Sequence, residues 1–236
     1  MNESMSFESR GLVLVKSPLS RESIGKAREA VRRMIWKVRG GSYKLFRIYD
    51  DFLRLNIAGV ERIFHPDIFE KDLFKAVVES RILQQARKLT GAGNLSMHLN
   101  RIHLTTDYSH TGNWHRDGEV GNEEHIQCAL YLFPESGLYV VPGSHLRGNT
   151  EEEAMLLKKS AKSVLPNQIP IIAAPGDMLF FKSAILHRAT SIDERANVFF
   201  RFGFDHPDFA KARPEVLSVA DPDWRALLCD PRRNYD

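Results

Sequence analysis

Asn113-Trp-His-Arg-Asp-Gly-Glu119 is the stretch on which both fold and chemistry turn. It sets a histidine and an aspartate one residue apart, His115 and Asp117, between two apolar runs that read as strands, Leu95–Leu104 and Ile126–Phe133. In extended chain, residues i and i+2 point to the same side. Both side chains can therefore reach one ion while Arg116 turns away. A second histidine, His187, ends Pro175-Gly-Asp-Met-Leu-Phe-Phe-Lys-Ser-Ala-Ile-Leu-His187, which reads as a turn followed by an apolar strand. Two imidazoles and one carboxylate are the ligand set of a mononuclear non-haem iron site, with about half of an octahedral shell left open.

A His-x-Asp pair alone says little, because the chain holds three of them: His65-Pro-Asp67, His115-Arg-Asp117 and His206-Pro-Asp208. In two of these the middle residue is proline, which fixes its own φ and removes a backbone donor. Pro66 reads as the start of a helical turn, with Asp67 near its positive end. No histidine follows His206, so that pair cannot open a triad in this order. Only His115 and Asp117 lie between strand-like runs with a later histidine in reach.

Outward from this centre the chain divides into a helical first third and a sheet-like remainder. From Ser20 the apolar residues Ile24, Ala27, Val31, Ile35 and Val38 recur at helical steps, with Ser20 as cap and Gly40-Gly41 as stop. A second helix is predicted over Lys71–Leu89, with Leu73, Phe74, Val77, Val78, Ile82, Leu83 and Ala86 on one face and Gly91 beyond its end. After Gly93 short apolar runs alternate with turn residues; besides the two already named they are Leu138–Val141, Ile169–Ala173, Met178–Phe181 and Ala196–Phe204. One helix interrupts them, where Thr150 and Glu153 form a capping box. The expected fold is mostly β with flanking helices, helices backing one face of a sandwich or barrel. The expected organisation is a single domain over 1–236: residues 1–92 as helical support, 93–206 as β core and 207–236 as a C-terminal extension.

Composition narrows the function classes. The chain of 236 residues has a net charge of +3 from 33 basic and 30 acidic residues. The two signs are interleaved, which fits a solvated surface better than a nucleic-acid footprint. Cys128 and Cys229 are too few for a disulfide framework or a thiolate cage. The polar N-terminus and the short apolar run Leu12–Val15 make neither a signal peptide nor a membrane span. The cytoplasm is the expected compartment, with no membrane and no nucleic acid as partner and the oligomeric state left open.

An arginine completes the pattern. A loop at 189–193 centred on Ser191 would pair His187 with Arg195 across a hairpin, and cross-strand partners share a face. A guanidinium there suits a planar dicarboxylate held by two parallel bonds. Arg201 has the same strand parity and is the competitor, roughly 20 Å further along at about 3.3 Å per residue. Thr190 and Ser191 either add a hydroxyl bond or make the turn. Trp114 and the alternating Gln127, Ala129 and Tyr131 are candidates for the pocket wall, with core packing an equal reading for Tyr131. Thr105–Asn113 and Lys44–Val60 are candidates for its entrance.

These motifs, in this order, resemble the phytanoyl-CoA dioxygenase family of iron(II)/2-oxoglutarate oxygenases over roughly residues 95–204. The resemblance rests on Trp114-His-Arg-Asp117, on Gly137-Leu-Tyr-Val-Val-Pro-Gly-Ser-His145, on Pro175-Gly-Asp-Met-Leu-Phe-Phe181, and on His187 followed by Arg195. It implies a double-stranded β-helix (jelly-roll, cupin-like) core, with Fe(II) held by His115, Asp117 and His187. The cosubstrate 2-oxoglutarate would be held by Arg195, with Gln127 and Thr190 as further contacts. The implied activity couples O2 and oxidative decarboxylation of 2-oxoglutarate, yielding succinate and CO2, to hydroxylation of a small-molecule substrate. Related halogenases lack the carboxylate, so Asp117 favours hydroxylation. His145 reads as structural, in a turn that Gly143 permits. The sequence departs from the family in the short spacing from His187 to Arg195 and in Ala189 where a small hydroxyl residue is common. Two alternatives stay open: an inactive metal- or ligand-binding protein, and a nucleic-acid-modifying oxygenase.

Overall fold

In a computed structural model, which describes residues 3–16, 18–40, 47–49, 52–56, 70–91, 95–105, 110–121, 125–191 and 195–203, the chain opens with α1 (Glu3–Arg10). Gly11, at φ +78°, then turns it into β1 (Leu12–Val15). α2 (Arg21–Gly40) starts where the sequence predicts, with the Ser20 hydroxyl accepting from the Ser23 N–H at 3.0 Å. Its buried residues Ile24, Ala27, Ala30, Val31 and Met34 keep the helical period. The short strands β2 (Arg47–Tyr49) and β3 (Phe52–Asn56) pair antiparallel with each other.

The helix expected over Lys71–Leu89 is two helices, α3 (Lys71–Glu79) and α4 (Ile82–Thr90). They separate at Arg81, which sits in the left-handed region at φ 54°. The apolar spacing hid the break because Leu73, Ala76, Val77, Ile82, Ala86 and Leu89 are all buried on both sides of it. Gly91, at φ 68°, ends α4 as expected.

The remaining strands are β4 (Ser96–Thr105), β5 (His110–Thr111), β6 (His125–Tyr131), β7 (Glu135–Val140), β8 (Ile169–Ala173), β9 (Met178–Lys182), β10 (His187–Ser191) and β11 (Arg195–Gly203). α5 (Glu151–Lys159) lies between β7 and β8. Its capping box is complete: the Glu153 N–H donates to Thr150 Oγ1 at 3.1 Å, and the Thr150 N–H to Glu153 Oε2 at 2.8 Å.

Two antiparallel sheets result, a five-stranded one ordered β1-β9-β6-β11-β4 and a four-stranded one ordered β5-β10-β7-β8. Their apolar faces meet in one core. Leu12, Ala129, Tyr131, Leu179 and Phe181 of the first sheet pack with Leu138, Val140, Ile171 and Ala173 of the second and with Ile185. β6 and β9 are buried on both faces, since Ile126, Cys128, Leu130, Met178 and Phe180 on their reverse side are also covered. A strand buried on both faces reads as a continuous apolar run, which is why Met-Leu-Phe-Phe shows no alternation. Arg28 fastens α2 to this sheet, its Nε donating to Leu132 O at 2.5 Å and its guanidinium lying 4.7 Å from the Phe133 ring centre.

The first third is therefore less purely helical than its periodicity predicts. β1 pairs with β9, from Leu12 opposite Phe181 to Val15 opposite Met178. The apolar segment ending at His187 is likewise two strands. β9 stops at Lys182, a turn follows over 183–186, and β10 begins in the other sheet. Among the described residues no helix is long and apolar enough to cross a membrane.

Candidate metal centre

β10 and the segment after β5 bring the two histidines together through the backbone. The His115 N–H donates to His187 O at 2.9 Å, and the His187 N–H to His115 O at 3.0 Å. Their rings consequently lie 4.3 Å apart, centre to centre. Asp117 is placed by the turn after β9, its N–H donating to Ser183 O at 2.9 Å. That turn comes so close that a Cβ on Gly118 would stand 3.0 Å from the Ser183 Cβ.

One donor atom from each of His115, Asp117 and His187 lies within 4.8 Å of the others. Asp117 Oδ2 is 3.4 Å from His187 Nε2, and Oδ1 is 3.8 Å from His115 Nε2. Neighbouring donors of an octahedral ion with bonds of about 2.1 Å stand about 3.0 Å apart. The two imidazole–carboxylate gaps need to close by less than about 1 Å, so the residues fit a divalent ion. Their tautomers fit as well. His115 Nδ1 bonds Asn113 O and His187 Nδ1 bonds Ile185 O, each at 2.9 Å, so each Nδ1 is the donor to the backbone and each Nε2 is the ring atom turned to Asp117 and the centre.

Asp117 stays ionised. Its partial burial opposes the charge, but bonding to His187 and Gln127 outweighs that cost and holds the carboxyl well below its usual range. The Gln127 contact runs from Nε2 to Asp117 Oδ2 at 2.6 Å. The sequence suggested Gln127 as a contact for the cosubstrate; the structure sets its amide on the carboxylate. The Phe181 ring, 5.4 Å from that of His187 and edge-on, walls the centre on the core side.

Arg116 turns away as predicted. Its guanidinium donates to Ser144 O at 2.7 Å, Ala184 O at 2.5 Å and Asn149 Oδ1 at 2.9 Å, tying the turn beneath Asp117 to the segment after β7. His145 is buried, its Nε2 bonded to Glu8 O at 2.9 Å, and Gly143 adopts φ +78°.

Several expectations need correction. β10 and β11 belong to different sheets, so His187 pairs with Val140 of β7 and not with Arg195. β10 and β11 therefore do not pair as a hairpin. Arg195 pairs with Thr105, and Arg201 stands opposite Gln127. Thr190 and Ser191 make no turn but lie within β10, and the Thr190 hydroxyl donates to Gly137 O at 3.0 Å. Trp114 is behind the centre, packed with Val141, Leu165 and Leu186. Tyr131 is core. The pairs at His65 and His206, most of 44–60, and Cys229 lie outside the described residues.

Two facing antiparallel sheets with a His-Asp-His cluster that could hold one metal ion define the class. The profile of the family described as phytanoyl-CoA dioxygenase (PhyH) matches residues 7–193, and the chain belongs to that family. Solved structures share the fold. AviO1 from Streptomyces viridochromogenes Tue57 superposes with a TM-score of 0.62 at 16% identity, covering 86% of this chain and 94% of that one. EctD from S. alaskensis, solved with 2-oxoglutarate and 5-hydroxyectoine, gives 0.64 at 14% identity over 85% and 74%. SnoK, a non-haem α-ketoglutarate-dependent carbocyclase from nogalamycin biosynthesis, gives 0.62 at 18% identity over 86% and 83%. No curated protein sequence matches the chain. Family membership and the triad together imply Fe(II), 2-oxoglutarate and O2 as cofactors.

Proposed function

We propose that the chain is a double-stranded β-helix oxygenase that hydroxylates a small molecule, with His115 Nε2, Asp117 and His187 Nε2 holding Fe(II). The observation that carries this reading is the convergence of those donors, with both Nδ1 atoms already committed to backbone carbonyls. The strand order supports the β-helix: β4 to β7 alternate between the two sheets, and β8 to β11 do the same. When bound, the iron and its cosubstrate supply the oxidation, converting C–H, O2 and 2-oxoglutarate to C–OH, succinate and CO2. The protein's part is to hold three donors on one side and leave the other side open. Gln127 fixes one carboxylate oxygen, Phe181 and the core exclude water from behind, and Arg116 braces the two turns that set Asp117.

For the cosubstrate carboxylate we favour Arg201 over Arg195. The hairpin that recommended Arg195 does not form, whereas Arg201 is the register partner of Gln127, whose amide meets Asp117. Antiparallel partners share a face of the sheet.

Succinate release from 2-oxoglutarate across a substrate panel, with His115→Ala as blank, tests the function. The reading expects release above the blank and one ¹⁸O from labelled O2 in the product. Release equal to the blank for every substrate would refute it; a turned-over substrate without added oxygen would replace hydroxylation with another oxidation. Arg201→Ala is expected to raise the 2-oxoglutarate KM at least tenfold, and the same effect from Arg195→Ala alone would return the assignment to Arg195.

A further inference from the structure

Behind the metal centre, three consecutive carbonyl oxygens meet the two residues that adjoin the imidazoles. Trp114, one before His115, donates its backbone N–H to Ala161 O at 2.9 Å and its indole N–H to Ser163 O at 2.7 Å. Arg188, one after His187, donates from Nη1 to Lys162 O at 2.6 Å. Its guanidinium carbon lies 5.2 Å from the Trp114 ring centre and 5.4 Å from that of Tyr139, a cation between two aromatic rings. Residues 161–163, just after α5, thus form a strap across both segments that carry the imidazoles.

Space-filling alone does not explain an arginine here. Arg188 is 7% exposed, its Nε has no hydrogen-bond partner, and no carboxylate pairs with it among the described residues. A desolvated cation without a counter-ion costs stability, and a hydrocarbon side chain would fill the same place without that cost. What a hydrocarbon cannot do is bond the strap while contacting both rings. On the opposite side His115 and His187 exchange both backbone hydrogen bonds, so a rotation at 114 or 188 passes directly to the imidazoles.

We propose that Arg188 is a positioning residue for the metal centre: clamped by the 161–163 strap and stacked on Trp114, it holds the His115–His187 pair at the separation one ion requires. The proposal rests on the metal reading of the site.

Titration of the metal-free full chain with Co(II), followed by visible absorption, tests it beside thermal unfolding of the same samples. Arg188→Met keeps length and apolar bulk. It is expected to weaken Co(II) binding about 10- to 100-fold, as loss of a supporting residue does at other metal sites, and to alter the ligand-field bands. The metal-free midpoint should stay within about 4 °C of wild type. Unchanged affinity and bands would overturn the proposal. Should Arg188→Met unfold, Trp114→Phe carries the test: it removes the Ser163 bond and part of the indole's bulk while keeping a ring beneath the guanidinium. A several-fold loss of affinity is then expected, and none would overturn the inference. Wild-type protein that takes up no Co(II) would remove the metal reading itself, whereas normal uptake by Arg188→Met removes only this step.

Discussion

Gln127→Leu is the substitution that most cleanly separates a supporting contact from the ligands themselves. It keeps comparable bulk, one bond shorter, but deletes the Nε2 donor that meets Asp117 Oδ2 at 2.6 Å. A hydrogen bond to a charged acceptor is worth about 1.5–3 kcal/mol. The contact also exists without metal, however, so only the difference between the two states reaches the affinity. That difference is the cost of orienting a carboxylate that Gln127 now holds in advance. We expect metal affinity to fall about 10- to 30-fold, the lower part of the range for supporting residues around metal sites. Isothermal titration with Ni(II) at pH 7.5 measures it. Asp117 is ionised there, because its bonding to His187 and Gln127 outweighs burial and lowers its pKa, so protonation does not cloud the result. An affinity within twofold of wild type would show that Gln127 does not preorganise Asp117.

Glu153 yields a stability test with a pH signature. Its carboxylate is buried, accepts 2.7 and 2.8 Å bonds from Arg147 and caps α5 through Thr150. The Arg147 bond is the main cause that lowers its pKa from the ordinary 4.5, against burial. With Arg147 free to turn to solvent, Glu153→Gln should cost roughly 1–3 kcal/mol in urea unfolding at pH 7. A group with a depressed folded-state pKa stabilises fully above its unfolded value, so the gap between wild type and variant should shrink as pH falls below about 4.5; a constant gap from pH 7 to 3 would contradict the assignment. Gly137→Ala would bring a Cβ to 1.9 Å from Thr190 O, backbone that cannot give way without parting β7 from β10. It should cost more than about 2 kcal/mol and weaken metal binding through His187; a variant as stable as wild type would show that these strands are not tightly paired there.

The grouping of the triad was readable in part: the one-residue spacing of His115 and Asp117 is local, whereas the apolar run before His187 hides a turn that carries the chain to the other sheet. Capping at Ser20 and Thr150 was readable because it is decided within four residues. The cross-strand partner of His187 was not readable, because it depends on which sheet β11 joins. The break at Arg81 was hidden since both helices bury the same period of apolar residues. The brace at Arg188 involves Lys162, distant in sequence and contributing only a carbonyl, so no side-chain pattern announces it.

In the function proposed, His115, Asp117 and His187 bind one Fe(II) with room for 2-oxoglutarate beside it. Anaerobic addition of Fe(II) and then 2-oxoglutarate, followed by visible spectroscopy, addresses it directly. A weak charge-transfer band is expected in wild type and is missing in His187→Ala. No band in wild type at saturating concentrations, or the same band in both proteins, would contradict it.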